Sequence, residues 1–288
     1  MPELPEVETV CRGLRANILG DTITGVEILR SDSVEYPDVK TFKSSLIGHE
    51  FSSVNRRGKY ILISLNEQAG LAVHLRMSGR LIVMPGDKEP DRFLRVHLRL
   101  KSGRQIQYSD MRVFGRLWYV PESESFETVI PTLAELGPEP LEHLTANILQ
   151  KSLKDRKQVI KTALLDQRII AGIGNIYADE ALFLSGINPL RPAGSLKKGE
   201  LIKLTETIQA VLTRAIEAGG TTFSDYTSAE GVNGRYQHEA LVYGRDGEKC
   251  RVCATVIERV KVGGRSTHFC LTCQKNKRQT AATSLLQS

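Results

Sequence analysis

Leu94-Arg95-Val96-His97-Leu98-Arg99-Leu100-Lys101-Ser102-Gly103-Arg104-Gln105-Ile106-Gln107-Tyr108 sets the fold class of the first half of the chain. Leu94, Val96, Leu98 and Leu100 alternate with polar residues, the period of a strand with one buried face, and Ser102-Gly103 turns the chain into a second run from Gln105 to Tyr108. A β-hairpin is expected here. Tyr60–Leu65, Leu71–Leu75 and Leu81–Met84 read as further strands, so the region from Ile23 to Val120 is expected to be a β-sandwich or barrel. Upstream, Val7, Val10, Leu14 and Ile18 have the three-and-four spacing of a helix face, with Gly20 placed to end it. Cys11 adjoins that stripe and reads as a small core residue.

Downstream the period changes. Pro121 to Pro140 is rich in proline and glutamate, and Thr145–Leu153, Gln158–Leu165, Asn175–Leu184 and the amphipathic Gly199–Ala218 follow as expected helices. The last carries Leu201, Leu204, Ile208, Val211, Leu212, Ala215 and Ile216 on one face and stops at Gly219-Gly220. Thr221 to Gln237 is rich in Thr, Ser and Gly, has little periodicity, and is longer than most loops, a trait of functional segments. A frayed tail is expected from Thr280 to Ser288, and the sequence has no internal repeat. The class is α+β, with expected divisions at 1–134, 135–237 and 238–288.

The 288 residues suffice for two cores, and no apolar run approaches the roughly 18 residues of a membrane span. Met1 to Glu8 holds three glutamates and two prolines where a secretory signal needs a basic and then an apolar run, so a cytoplasmic setting is expected. A net charge of +6 suggests a polyanionic partner, though many soluble enzymes are as basic.

Cys250-x2-Cys253 and Cys270-x2-Cys273 stand sixteen residues apart, a spacing suited to one tetrahedral zinc held by four thiolates. Four protein ligands leave no open position for a substrate, so the metal is expected to be structural. An iron–sulfur site or two disulfides are the alternatives at this stage. His268 reads as a hairpin residue beside the second pair. Arg259, Lys261 and Arg265 crowd the intervening strand–Gly263-Gly264–strand pattern, with Lys275, Lys277 and Arg278 after it; a basic hairpin suits phosphate, and equally a solvated surface.

Several motifs occur in order along the chain: Pro2-Glu3-Leu4-Pro5-Glu6-Val7-Glu8, Arg57-Gly58-Lys59-Tyr60, His74-Leu75-Arg76-Met77-Ser78-Gly79, Asp110-Met111-Arg112-Val113-Phe114-Gly115 and Ala171-Gly172-Ile173-Gly174-Asn175-Ile176-Tyr177. With the cysteine pairs they resemble formamidopyrimidine-DNA glycosylases over nearly the whole chain. The resemblance implies an N-terminal β-sandwich with a flanking helix, a helix–two-turn–helix domain with a base-recognition loop at Thr221 to Gly234, and a C-terminal β-hairpin zinc finger. It also implies a monomeric, bacterial-type repair enzyme bound to duplex DNA of the nucleoid. The implied reaction removes 8-oxoguanine and formamidopyrimidines and then cuts the strand by β,δ-elimination.

By the same resemblance, Pro2 is the nucleophile once Met1 is removed, which a small second residue permits. Glu3 is the general acid, Lys59 serves proton transfer, and Arg265 grips phosphate and is associated with δ-elimination. Met77, Arg112 and Phe114 are the wedge that fills the gap left by a flipped nucleotide. Asn175 and Lys157 are phosphate contacts, although Asn175 also reads as an N-cap and Lys157 as a surface charge. Glu6 and Glu8 read as complements to a helix N-terminus. Departures from the pattern put contacts at issue more than chemistry. They are Arg76 where glycine is common, Met111 and Val113 around Arg112, and Arg92-Phe93-Leu94-Arg95 where histidine is frequent. Two other readings compete: a related enzyme of the same fold that prefers oxidised pyrimidines, and a non-enzymatic zinc-ribbon DNA-binding protein.

Overall fold

In the computed structural model, which describes residues 1–221 and 234–275, the stripe from Val7 to Ile18 lies on helix α1 (Leu4–Ile18). The helix starts earlier than the stripe because Pro5 is tolerated in the first turn and Glu6 accepts the Glu3 amide at 2.7 Å. Leu4, Val7, Val10, Cys11, Leu14 and Ile18 are all fully buried. In chain order there follow β1 (Ile23–Ile28), β2 (Val34–Tyr36), α2 (Val39–Leu46), β3 (Phe51–Arg57), β4 (Tyr60–Leu65) and β5 (Gly70–His74). The first unit continues with β6 (Gly79–Pro85), β7 (Leu94–Leu100), β8 (Arg104–Asp110), β9 (Arg116–Val120), α3 (Phe126–Val129) and α4 (Pro131–Ala134). Helix α2, capped by the Asp38 carboxylate on the Lys40 and Thr41 amides, is a second helix that the hydrophobic pattern did not reveal.

The strands make two sheets, β1-β7-β8-β6 and β2-β9-β5-β4-β3. The expected hairpin is β7–β8, with Leu98 opposite Ile106 and Val96 opposite Tyr108. Val26, Leu81, Val96, Leu98 and Ile106 of one sheet share a core with Val54, Ile61, Ile63, Leu71 and Leu117 of the other, and α1 adds Val7, Val10 and Leu14. That arrangement is a sandwich with a flanking helix. This unit comprises Met1–Glu135 and Ala215–Gln237.

The second unit, Leu136–Arg214 with His238–Ser288, holds α5 (Ala146–Leu153), α6 (Ile160–Leu165), α7 (Asn175–Ser185), most of α8 (Lys198–Glu217) and the hairpin β10 (Glu258–Val262) and β11 (Arg265–Phe269). Helix α7 organises it. The buried Glu180 carboxylate accepts the amides of Leu241, Val242 and Tyr243 at 2.8–2.9 Å, and Phe183 packs with Val242, Cys250, Ile257 and Cys270. The cysteine-bearing segment is thus anchored to a helix by charge-assisted hydrogen bonds as well as apolar contact. Of the expected base-recognition loop, Thr221 to Gly234, only the two ends are described. Lys277, Arg278 and the tail 280–288 also lie outside the described residues.

Candidate functional site

Candidate functional residues occur in each of the two units. In the sandwich, Pro2 and Glu3 are buried immediately ahead of α1. Glu6, one turn into the helix, uses one carboxylate oxygen for the Glu3 amide and the other for the Thr221 amide at 2.8 Å. Gly220 lies against it, where a Cβ would come within 3.0 Å of the Glu6 carboxylate. Glu6 therefore fixes the position of Pro2-Glu3 from inside the fold. A buried clamp and a solvated helix-start glutamate look alike in sequence, so its pattern gave no sign of this.

Lys59 is also buried, in the turn that joins β3 to β4, and Tyr60 faces His74 across the β4–β5 ladder with ring centroids 4.5 Å apart. Burial, and then the cations of Arg76 and Lys59, lower the His74 imidazole from 6.5 to about 3. His74 is accordingly neutral at physiological pH. Its Nδ1 accepts the Arg76 amide at 3.0 Å, which puts the ring proton on Nε2. In the sequence His74 stands out only as part of a motif.

Met77 and the pair Arg112 and Phe114 project from two neighbouring turns, β5–β6 and β8–β9. Phe114 is 54% exposed, Arg112 is exposed, and Met77 is half-buried. Apolar side chains presented this way are available to stack on a flat partner. The two turns meet at Asp110, which is fully buried.

In the second unit the turn Gly172–Gly174 leads into α7, whose N-cap is Gly174, so Asn175 is the first helical residue and not the cap. Its Nδ2 donates to the Ser266 carbonyl at 2.8 Å, which places it one residue from Arg265 at the exposed start of β11. Arg265 sits opposite Val262 across the turn Gly263-Gly264, where both glycines have positive φ (54° and 78°), as a two-residue hairpin of this hand requires. Behind this pair lies a buried ionic network. Lys161 donates to the Asn175 carbonyl at 2.7 Å and to Asp179, while Asp179 accepts the His268 amide at 2.9 Å and meets its Nδ1 at 3.2 Å. Asn175 and Arg265 are thus brought together. Lys157 is exposed ahead of α6, with no hydrogen bond to either among the described residues.

The sulfurs of Cys250, Cys253, Cys270 and Cys273 lie within 4.8 Å of one another, with Cys250–Cys273 at 3.9 Å and Cys253–Cys270 at 3.4 Å. A tetrahedron with metal–sulfur bonds of about 2.3 Å has edges of about 3.8 Å, so the cage matches one zinc. Disulfides need about 2.05 Å, and all four thiols are free. Hydrogen bonds from Thr255 lower the Cys253 thiol, whereas burial raises those of Cys270 and Cys273. These residues hold one structural zinc, with no position left for chemistry. Among the described residues no helix is long and apolar enough to cross a membrane.

Comparison with known proteins follows this layout. Residues 1–117 match the formamidopyrimidine-DNA glycosylase N-terminal domain, 136–227 the H2TH domain of the same enzymes, and 247–276 a zinc finger found in FPG and IleRS. The formamidopyrimidine-DNA glycosylase of Gloeobacter violaceus is 49% identical over 278 residues, 96% of this chain and 98% of the relative. A Lactococcus lactis Fpg solved in complex with an abasic site containing DNA aligns with a TM-score of 0.88 at 34% identity, covering 95% of this chain and all of the other. MutM in complex with carbocyclic 8-oxo-G containing DNA aligns at 0.87 and 34%, over 96% of this chain and all of the other.

Proposed function

The chain belongs to the formamidopyrimidine-DNA glycosylase family, and from that premise we propose that it excises oxidised purines through an amine nucleophile at Pro2. In coarser terms it is a base excision repair enzyme, a DNA glycosylase with abasic-site lyase activity on damaged duplex DNA. The substrates we assign are 8-oxoguanine and formamidopyrimidines, and the relative bound to 8-oxo-G containing DNA supports the first. The assigned setting is the cytoplasm, at nucleoid DNA, with a single chain acting. The functional division we adopt is 1–134 for catalysis, 135–237 for the helix–two-turn–helix and lesion loop, and 238–288 for the zinc finger.

The observation that carries the reading is the buried Pro2-Glu3 pair, positioned by Glu6 at the head of α1. With Met1 removed, the Pro2 nitrogen is a free secondary amine. It attacks the deoxyribose C1′ and loses its proton as the C1′–base bond breaks and the base leaves protonated, and opening of the C1′–O4′ bond then gives the iminium. A generic α-amine, with a pKa of about 7.7–8.0 against about 10.4 for lysine, is a few hundred times more often neutral at pH 7. Glu3 donates the proton that opens the sugar ring, and Lys59 serves proton transfer in β-elimination. Arg265 holds the phosphate bidentately toward δ-elimination, beside Asn175 at a helix N-terminus suited to anions, with Lys157 as a further phosphate contact. Met77, Arg112 and Phe114 fill the space left by the everted nucleotide, offsetting part of a stacking cost of a few kcal/mol.

Borohydride reduction on a duplex with 8-oxoguanine opposite cytosine tests the chemistry. A covalent protein–DNA adduct is expected, with most of its yield lost in Pro2→Gly and with Met1 absent from the active protein by intact mass. An undiminished adduct in that variant, or active protein that retains Met1, would overturn the nucleophile. Faster cutting of thymine glycol than of 8-oxoguanine would replace the purine reading with the pyrimidine one.

A further inference from the structure

The two turns that carry Met77, Arg112 and Phe114 are built against one buried carboxylate. Asp110 closes β8 and is 0% exposed. Its Oδ1 accepts the Ser78 hydroxyl and the Arg112 amide at 3.1 Å, and the same amide reaches the Ser78 oxygen at 3.0 Å. Its Oδ2 accepts the Gly115 amide at 2.8 Å and the Tyr108 hydroxyl at 3.2 Å. The backbone of Asp110 is used as well. Its amide donates to the Phe93 carbonyl at 3.0 Å, and its carbonyl accepts the Arg95 guanidinium at 2.8 Å. One residue thus joins the turn at Ser78, the turn from Arg112 to Gly115 and the segment 93–95.

Both turns are strained, and both strained residues adjoin the projecting side chains. Arg76, immediately before Met77, has φ 53°, and Val113, between Arg112 and Phe114, has φ 56°. A left-handed conformation is uncommon for an arginine and an outlier for a β-branched valine, so neither turn takes this form from its own preference. Each closes on a glycine that admits no side chain. A Cβ on Gly79 would sit 2.4 Å from the Leu75 carbonyl oxygen, and one on Gly115 would sit 1.9 Å from the Tyr108 hydroxyl.

We propose that Asp110, acting through Ser78, is the positioning residue of the wedge: it holds two strained turns in one register so that Met77, Arg112 and Phe114 enter the base stack as a unit. The inference rests on the wedge reading given above. Asp110 is walled off beneath the turns and touches no reacting atom. Its effect falls on the step in which a stacked base is drawn out, and chemistry on a site already lacking its base is far less sensitive to it.

The test compares two substrates with one set of variants. Ser78→Ala deletes the hydroxyl that ties the turn carrying Met77 to Asp110 and to the Arg112 amide while changing little volume, and Asp110→Asn replaces an acceptor oxygen with a donor facing donors. For Ser78→Ala we expect single-turnover excision of 8-oxoguanine to fall at least tenfold and strand cleavage at a preformed abasic site to fall less than threefold. Unstacking reported by 2-aminopurine beside the lesion should slow in parallel, and Ser78→Thr, which keeps the hydroxyl, should recover most of the loss. Equal loss on both substrates, or none on either, overturns the proposal, and Ser78→Ala carries the test if Asp110→Asn does not fold. Met77→Ala and Phe114→Ala examine the underlying reading. Full excision rates in both would mean that the wedge itself has failed, whereas slowed excision there with unaltered Ser78→Ala means that only the Asp110 linkage has.

Discussion

At the scale of single residues, the site depends on groups whose burial inverts their ordinary behaviour, and His74 gives a measurable case. Its folded-state pKa is lowered from 6.5 to about 3, so between those values the unfolded chain binds the proton more readily. The resulting stability is complete above pH 6.5 and is lost as pH falls toward 3. At pH 5 the loss is 1.5 pH units below 6.5, or about 2 kcal/mol at about 1.36 kcal/mol per unit. His74→Asn retains an acceptor for the Arg76 amide and cannot titrate. Urea midpoints of this variant are expected to fall less between pH 7 and pH 5 than those of the parent chain, and parallel slopes would contradict the assignment. The sequence motif containing His74 was legible, but its buried, single-tautomer state was not, because that follows from Lys59, Arg76 and the β4–β5 pairing. Glu6 is a similar case: its second partner is Thr221, more than two hundred residues away.

At the scale of elements, legibility followed the regularity of inward and outward alternation. Strand β7 alternates throughout and β4 from Ile61 onward, and both are legible in the sequence at their observed bounds. Strands β1 and β3 were not individually read, and both contain register shifts, between Ile23 and Gly25 and between Phe51 and Ser53. In these two strands the bulge sets consecutive inward residues three apart, Ile23/Val26 and Phe51/Val54, which breaks the two-residue period that β7 keeps through its own shift at Leu94/Val96. Helix α2 escaped notice because only Phe42 and Leu46 are buried on it, one repeat too few for a periodicity. The zinc element was legible because its geometry is dictated by ligand spacing alone. Its metal belongs to folding and not to the reaction, so its removal should act locally. Zinc chelation is expected to abolish DNA binding and free four reactive thiols, while emission from Trp118, the single tryptophan and a buried residue of β9, stays at its native wavelength. A Trp118 shift that tracks zinc loss would refute that independence.

At the scale of the whole molecule, the net charge of +6 sets a background attraction for DNA, and the assigned phosphate contacts should stand out against it as discrete steps. Each cation that neutralises a phosphate contributes about −0.9 to the slope of log K against log salt, whereas a neutral donor contributes affinity without slope. Arg265 and Asn175, joined through Ser266, therefore separate cleanly in one measurement even though both are proposed as phosphate contacts. Affinity for a duplex with an uncleavable abasic analogue, measured from low to moderate salt, is expected to lose about 0.9 of its slope in Arg265→Ala. Asn175→Ala should bind several-fold more weakly at every salt concentration with the slope preserved. Lys157, exposed and apart from that pair, is the discriminating third position: a slope loss of about 0.9 in Lys157→Ala makes it a phosphate contact, and an unchanged slope makes it a solvated surface charge. An Arg265→Ala slope equal to that of the parent chain would remove Arg265 from the phosphate grip, and the δ-elimination role assigned to it would go with it.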